Sequence, residues 1–170
     1  CNQSLSNTMP FTTEDTHDVI TVRAIAAPSL SAKALEDDTS ENGALCEQAS
    51  LVYSIHSGTT GWPLYETIMP LAAMDVGALR PTPAELTDIL QTVLTRTEVV
   101  STERAPSADP ENPGSSIATS LSDADYAALK DRKLPLLCYP SSVHDVTCVY
   151  PEPSGPESFD VKEMVVLTEN

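Results

Sequence analysis

Two cysteines ten positions apart place the strongest constraint on how this chain folds. Cys138 and Cys148 enclose the segment CYPSSVHDVTC, in which a Pro-Ser-Ser turn separates two extended apolar stretches. Cysteines that face each other across antiparallel strands have Cα atoms within the range that a disulfide accepts. Closing a loop of about 11 residues stabilises a fold by roughly 3 kcal/mol in the chain-entropy model. The spacing therefore predicts a disulfide-bridged β-hairpin.

The other two cysteines, Cys1 and Cys46, leave two interpretations open. Four cysteines in an exported chain allow two disulfides, and a Cys1–Cys46 bridge would pin the amino terminus to the body. Alternatively, a cysteine at position 1 is typical of bacterial lipoproteins, whose maturation cuts just before a cysteine that carries a diacylglycerol on its sulfur. The position favours this second interpretation, so we expect lipidation of Cys1, with Cys46 buried or paired between chains.

The segment after Cys1 is polar and rich in Ser, Thr and Asn, a composition typical of flexible linkers. Residues 1–18 are therefore predicted to form an N-terminal tether. The remaining residues, 19–170, are within the usual length of one domain. We expect a single domain on a short polar linker.

The charge of the chain restricts its partners. The sequence has 25 acidic against 9 basic residues, a formal net charge of −16. Nucleic-acid binding depends on Lys and Arg that neutralise phosphates, and anionic membrane surfaces attract basic segments. The composition argues against both partners, and it leaves the lipid on Cys1 as the expected membrane contact.

Two helices are predicted from capping patterns. Thr82 precedes Pro83 and is followed three residues later by Glu85, which is the pattern of a capping box, and an apolar stripe of helical period follows. Ser122 and Asp125 predict the start of a second helix.

Strands are predicted at residues 19–26, 50–55, 97–101, 134–139, 143–150 and 159–168, where apolar residues alternate or form short runs. Residues 62–73 are predicted as an edge strand or an irregular segment because two prolines interrupt them. Residues 103–120 and the segment YPEPSGPES are Pro-rich connections. The order of elements predicts an α+β fold: a mainly antiparallel β-sheet with two helices packed on one face and long Pro-rich loops.

No residue pattern predicts a catalytic, metal or cofactor site. The acidic segment 36–41, EDDTSE, lacks the ligand spacing of a calcium loop. The three histidines, His17, His56 and His144, lack the local spacing of a zinc site. The serine beside His56 is not surrounded by the elbow that positions a hydrolase nucleophile.

These observations predict a non-enzymatic accessory or structural subunit of a larger cell-envelope or surface protein assembly, exported and lipid-anchored at the periplasmic or extracellular face of a membrane. Its expected partners are other proteins. The alternatives are an extracellular module that binds a cation or a small ligand, and a processed viral or filament structural protein.

Overall fold

The computed structural model describes residues 1–25, 46, 49–74, 81–106, 115–155 and 158–169. Two antiparallel sheets and two helices account for most of these residues, in agreement with the predicted α+β class. The elements are β1 (Gln3–Pro10), β2 (His17–Ile25), β3 (Ser50–His56), β4 (Pro63–Pro70), α1 (Pro83–Thr95), β5 (Glu98–Ser101), β6 (Ser115–Ala118), α2 (Asp123–Asp131), β7 (Pro135–Pro140), β8 (Asp145–Gly155) and β9 (Ser158–Glu169).

The first sheet is a meander in the order β1-β2-β3-β4. Its register aligns Leu5 with Val22 and Val22 with Tyr53, so alternate residues of neighbouring strands share one face. This face forms the main core, and the side chains that β2 and β3 contribute to it have no exposed surface: Ile20, Val22, Ala24, Leu51, Tyr53 and Ile55.

Helix α1 covers this face and begins as predicted. The carboxylate of Glu85 accepts a hydrogen bond from the Thr82 amide at 2.7 Å, and the Thr82 hydroxyl accepts one from the Glu85 amide at 3.3 Å. Both bonds of the capping box are therefore present, and Pro83 occupies the first turn, where no intrahelical N–H donor is needed. The buried stripe of the helix is Leu86, Leu90, Val93 and Leu94, and the helix packs against β1 and β2.

The second sheet has the order β5-β7-β8-β9-β6, and its strand β7 is buried on both faces. Leu137 and Val149 join the main core, whereas Leu136 and Tyr150 belong to a second cluster that contains Leu129 of α2. The α+β class is as predicted, and the two helices pack on different clusters: α1 on the main core and α2 on the second cluster. Since consecutive residues of β7 are apolar, the strand needs cover on both sides, and the main core and α2 supply it.

The two sheets meet at a pair of stacked tyrosines. The rings of Tyr53 and Tyr139 lie with centroids 4.0 Å apart and an interplanar angle of 13°. The Tyr139 hydroxyl also shares a hydrogen bond of 2.8 Å with the hydroxyl of Tyr65 on β4. These contacts join the two sheets across the main core.

Residues 1–18 do not form the predicted tether. Strand β1 lies within them and pairs with β2 along its whole length. Leu5 and Met9 pack against the main core, and the Gln3 side chain donates a hydrogen bond to the Pro83 carbonyl at 2.8 Å. The intervening polar residues face outward, which is why the composition alone resembles a linker. A neighbouring strand and helix supply the order that local sequence does not.

Neither described helix has the length and apolar run needed to cross a membrane.

Candidate functional site

The structure places Cys138 and Cys148 in a disulfide. The two residues are direct partners in the β7–β8 register, with Cα atoms 4.1 Å apart. This arrangement is the bridged hairpin that the spacing predicts. The turn is further held by Ser141 and Ser142, whose amides both donate to the Asp145 carbonyl.

A second disulfide joins Cys1 to Cys46, with Cα atoms 5.3 Å apart. The expected lipid on Cys1 conflicts with this bond because a thioether-linked lipid and a disulfide require the same sulfur atom. The structure therefore corresponds to the alternative in which the amino terminus is pinned to the body. Two disulfides indicate an oxidising, exported environment.

No group of three His, Cys, Asp or Glu side chains within the described ranges is arranged to hold a metal ion. The acidic segment 36–41 lies outside the described residues.

One concave surface among the described residues, here named the Trp62 groove, lies where the β1–β2 loop and the β3–β4 loop meet the start of β9. Its cavity has a volume of about 490 Å³, within the range of small-molecule sites. Hydroxyl side chains make up most of the lining: Thr12, Thr13, Thr16, Ser57, Thr59, Thr60 and Ser158. The apolar part of the lining is Trp62, Pro63, Leu64 and Phe159.

Asp18 joins the first two loops beneath the groove. Its side chain is completely buried. One carboxylate oxygen accepts hydrogen bonds from the Thr12 amide at 2.7 Å and the Thr12 hydroxyl at 2.8 Å, and the other accepts one from the Gly58 amide at 2.9 Å. A buried carboxylate needs such donors to compensate for lost hydration. Asp18 therefore holds the two loops in a fixed relation.

Gly58 is required by the closeness of these loops. A Cβ atom at this position would overlap the carbonyl oxygen of His17 at the start of β2. Gly61 ends the same loop with a φ of 72°, which favours glycine. Hydrogen bonds from the Ser57 amide to the Trp62 carbonyl and from the Gly61 amide to the Ser57 carbonyl, at 2.9 and 2.7 Å, close the loop.

Several hydroxyl oxygens in the groove already act as acceptors. Ser57 accepts hydrogen bonds from the amides of Thr59 and Thr60, and Thr60 accepts one from the Trp62 amide. Thr16 accepts a hydrogen bond of 2.7 Å from the Thr13 hydroxyl. Since a hydroxyl also has one donor proton, Ser57, Thr60 and Thr16 each keep a proton to donate.

Trp62 is exposed although it is the largest apolar side chain of the groove. Its relative exposure is 73%. No charged side chain is among the described residues that line the groove. The surface therefore offers an aromatic face surrounded by neutral hydroxyl groups.

Comparisons with protein-family models, with curated proteins and with solved structures found no match. The groove is consequently interpreted from its own chemistry.

A second exposed apolar feature is the edge strand β4. Ile68 is 66% exposed and points away from the main core, in register with Val52 of β3. Strand β4 is last in its sheet and has no strand partner on its outer edge within the described residues. Pro63 and Pro70 lie at its two ends and donate no backbone hydrogen bond, so residues 64–69 are the part of this edge that has backbone donors.

The tyrosine cluster in the core serves packing. Burial raises the pKa of both Tyr53 and Tyr139, and for Tyr139 the hydrogen bond with Tyr65 raises it further. The buried Tyr53 hydroxyl has no hydrogen-bond partner among the described groups. The nearby Thr97 side chain acts in the opposite direction on the Tyr53 pKa, and its own hydroxyl donates to the Val93 carbonyl at 2.8 Å. The raised pKa values keep Tyr53 and Tyr139 protonated at physiological pH.

Sequence reasoning missed the Trp62 groove because its walls come from three separate stretches, near residues 12–16, 57–62 and 158–159. The available signal was the density of Ser and Thr on both sides of Trp62 and in the β1–β2 loop. In the β1–β2 loop that signal was interpreted as part of the polar tether, and beside Trp62 it was interpreted as a turn.

Proposed function

We propose that this protein is an exported, non-enzymatic accessory subunit of a larger protein assembly at the cell envelope or cell surface. The observation that supports this proposal is the edge of β4, where Ile68 stands exposed beside unpaired strand backbone. Edge strands with exposed apolar residues are templates for pairing with a strand of another chain.

Burying the exposed Ile68 side chain against a partner would favour association. Fully burying an isoleucine is worth about 1.5–3 kcal/mol, so covering its exposed two thirds contributes about 1–2 kcal/mol to association. The opposite edge of the same sheet differs, because β1 presents Ser, Asn and Thr side chains there. A partner strand is therefore expected at β4 and not at β1.

The non-enzymatic part of the proposal draws on the perturbed ionisable groups. Asp145 and Glu85 have lowered pKa values because hydroxyl and backbone donors that shape a turn or a helix start bond to their carboxylates. The strongly raised pKa values belong to tyrosines in the core. Among the described residues these groups have structural roles.

Site-specific photo-crosslinking in intact cells of the source organism tests the proposal. A photoreactive amino acid at position 68 is expected to yield one discrete heteromeric adduct. The same amino acid at Thr8, an exposed position on β1, is the matched control and should yield none. An absence of adducts from position 68, together with a monodisperse monomer on native extraction, would contradict the proposal.

A small-ligand-binding module is the second candidate function. The Trp62 groove favours it, since a preformed cavity of this size with a few convergent polar groups is typical of ligand sites.

A further inference from the structure

The chemistry of the Trp62 groove identifies a class of ligand. We propose that the groove binds a neutral saccharide, with the Trp62 indole stacked on the sugar ring and the surrounding hydroxyl groups bonded to sugar oxygens. The groove includes Pro63 and Leu64 at the start of β4, but Ile68, the residue on which the proposed subunit role depends, is not among the lining residues.

The Trp62 side chain is exposed to solvent. Tryptophan combines a broad apolar face with one polar N–H, and it is enriched at interfaces where one end of the side chain is apolar and the other is wet. A pyranose ring has the matching shape, with C–H bonds on one face and hydroxyl groups around its rim. At 73% exposure, the indole has ample free surface for this contact.

The groove also offers hydrogen-bond donors. Ser57, Thr60 and Thr16 accept hydrogen bonds from other groups of the loops, so each hydroxyl proton remains free to point at a ligand oxygen. Sugar hydroxyl groups accept and donate, and they therefore match a surface made of hydroxyls. The polar rim of the groove complements the polar rim of a sugar.

The charge of the groove lining and of the whole chain restricts the ligand. The described lining has no charged side chain, although 20% of the whole sequence is charged. An anionic ligand buried here would lose hydration without gaining a countercharge from the lining. The net charge of −16 also repels anionic ligands such as phosphorylated or sulfated sugars. The charge of the groove and of the chain therefore favours a neutral ligand over an anionic one.

Two loops of the groove are held in place without a ligand. The buried carboxylate of Asp18 fixes the Thr12 loop to the Gly58 loop, so two walls of the groove are set before any ligand arrives. Phe11, next to Thr12, is fully buried in the main core and anchors the same loop. A prearranged site avoids the entropic cost of ordering loops on binding.

Intrinsic fluorescence tests the proposal directly, because Trp62 is the only tryptophan in the sequence. The full-length oxidised protein is titrated with neutral disaccharides built from glucose, galactose, mannose and N-acetylglucosamine, up to tens of millimolar. We expect at least one of them to shift or quench the emission with saturation, and a Kd in the millimolar range. A sulfated disaccharide and a proline-rich peptide are titrated in parallel.

Variants assign the binding to the groove. Trp62→Ala should weaken saccharide binding at least tenfold in saturation-transfer NMR, and Ile68→Ala, the matched exposed apolar control on β4, should leave it unchanged. Circular dichroism verifies that both variants are folded.

Three results would overturn the proposal: no neutral saccharide perturbs Trp62, the sulfated sugar binds as tightly as its neutral parent, or only the proline-rich peptide binds. Failure here leaves the crosslinking result at position 68 unaffected, so the two proposals fail separately.

Discussion

Replacing Asp18 with asparagine tests whether this buried carboxylate holds the groove together. The carboxylate accepts three hydrogen bonds, two from Thr12 and one from the Gly58 amide. An asparagine has one oxygen, and its NH2 group must face either the Thr12 amide or the Gly58 amide. In both orientations a backbone N–H loses its acceptor.

These hydrogen bonds determine how much Asp18→Asn lowers the free energy of unfolding. A buried donor without a partner costs about 1–3 kcal/mol, and the remaining bonds lose the strength that the ionised acceptor provides. We expect Asp18→Asn to lower the free energy of unfolding by about 2–4 kcal/mol. For a chain of this length that corresponds to a fall in Tm of roughly 4–16 °C.

Urea denaturation followed by circular dichroism measures the free energy of unfolding, and amide hydrogen exchange locates the effect. Exchange at the Thr12 and Gly58 amides should accelerate more than exchange in α1. Asp15→Asn is the matched control, since Asp15 lies exposed in the same loop and its replacement should change stability by less than about 0.5 kcal/mol.

Gly58→Ala perturbs the same junction from the other loop, because its added methyl group overlaps a backbone carbonyl oxygen. Gly58→Ala is expected to lower the free energy of unfolding by about 1–3 kcal/mol.

If Asp18→Asn unfolds at the wild-type urea midpoint, and the Thr12 and Gly58 amides exchange at wild-type rates, the reasoning about the buried carboxylate is refuted.

Two further predictions concern the disulfides and the acid limit of stability. Replacing Cys1 and Cys46 with serine removes a disulfide with a sequence separation of 45. The free energy of unfolding should fall by about 4 kcal/mol in the chain-entropy model. An unchanged urea midpoint, or a diacylglycerol mass on Cys1 in peptide mapping, would contradict the bond. Hydrogen bonds from the Thr168 and Ser142 hydroxyls lower the pKa of Asp145 in the folded protein. The ionised Asp145 therefore stabilises the fold fully at pH values above the ordinary aspartate pKa. This stabilisation is lost as the pH falls through the lower pKa that Asp145 has in the folded protein. Asp145→Asn should therefore flatten the acid side of a Tm-against-pH curve, and an unchanged slope would show that these bonds do not contribute.

Local patterns in the sequence were sufficient for the helices and most strands. The Thr82 and Glu85 pair predicts the start of α1, and the Cys138 and Cys148 spacing predicts the hairpin, because each depends on interactions between residues close along the chain. Strand β1 and strand β6 were missed, since their pairing with β2 and β9 is determined by distant partners.

The sequence by itself therefore determined the elements whose stabilising contacts are local: capped helices, the bridged hairpin and the alternating strands. The tertiary structure decided the division into two sheets, the pairing of Cys1 with Cys46 and the assembly of the Trp62 groove. The groove joins stretches from about 45 to about 145 residues apart in sequence, and the bond between Asp18 and Gly58 that links two of its loops spans 40 positions. Such contacts depend on how whole sheets pack, a property that no short window of sequence contains.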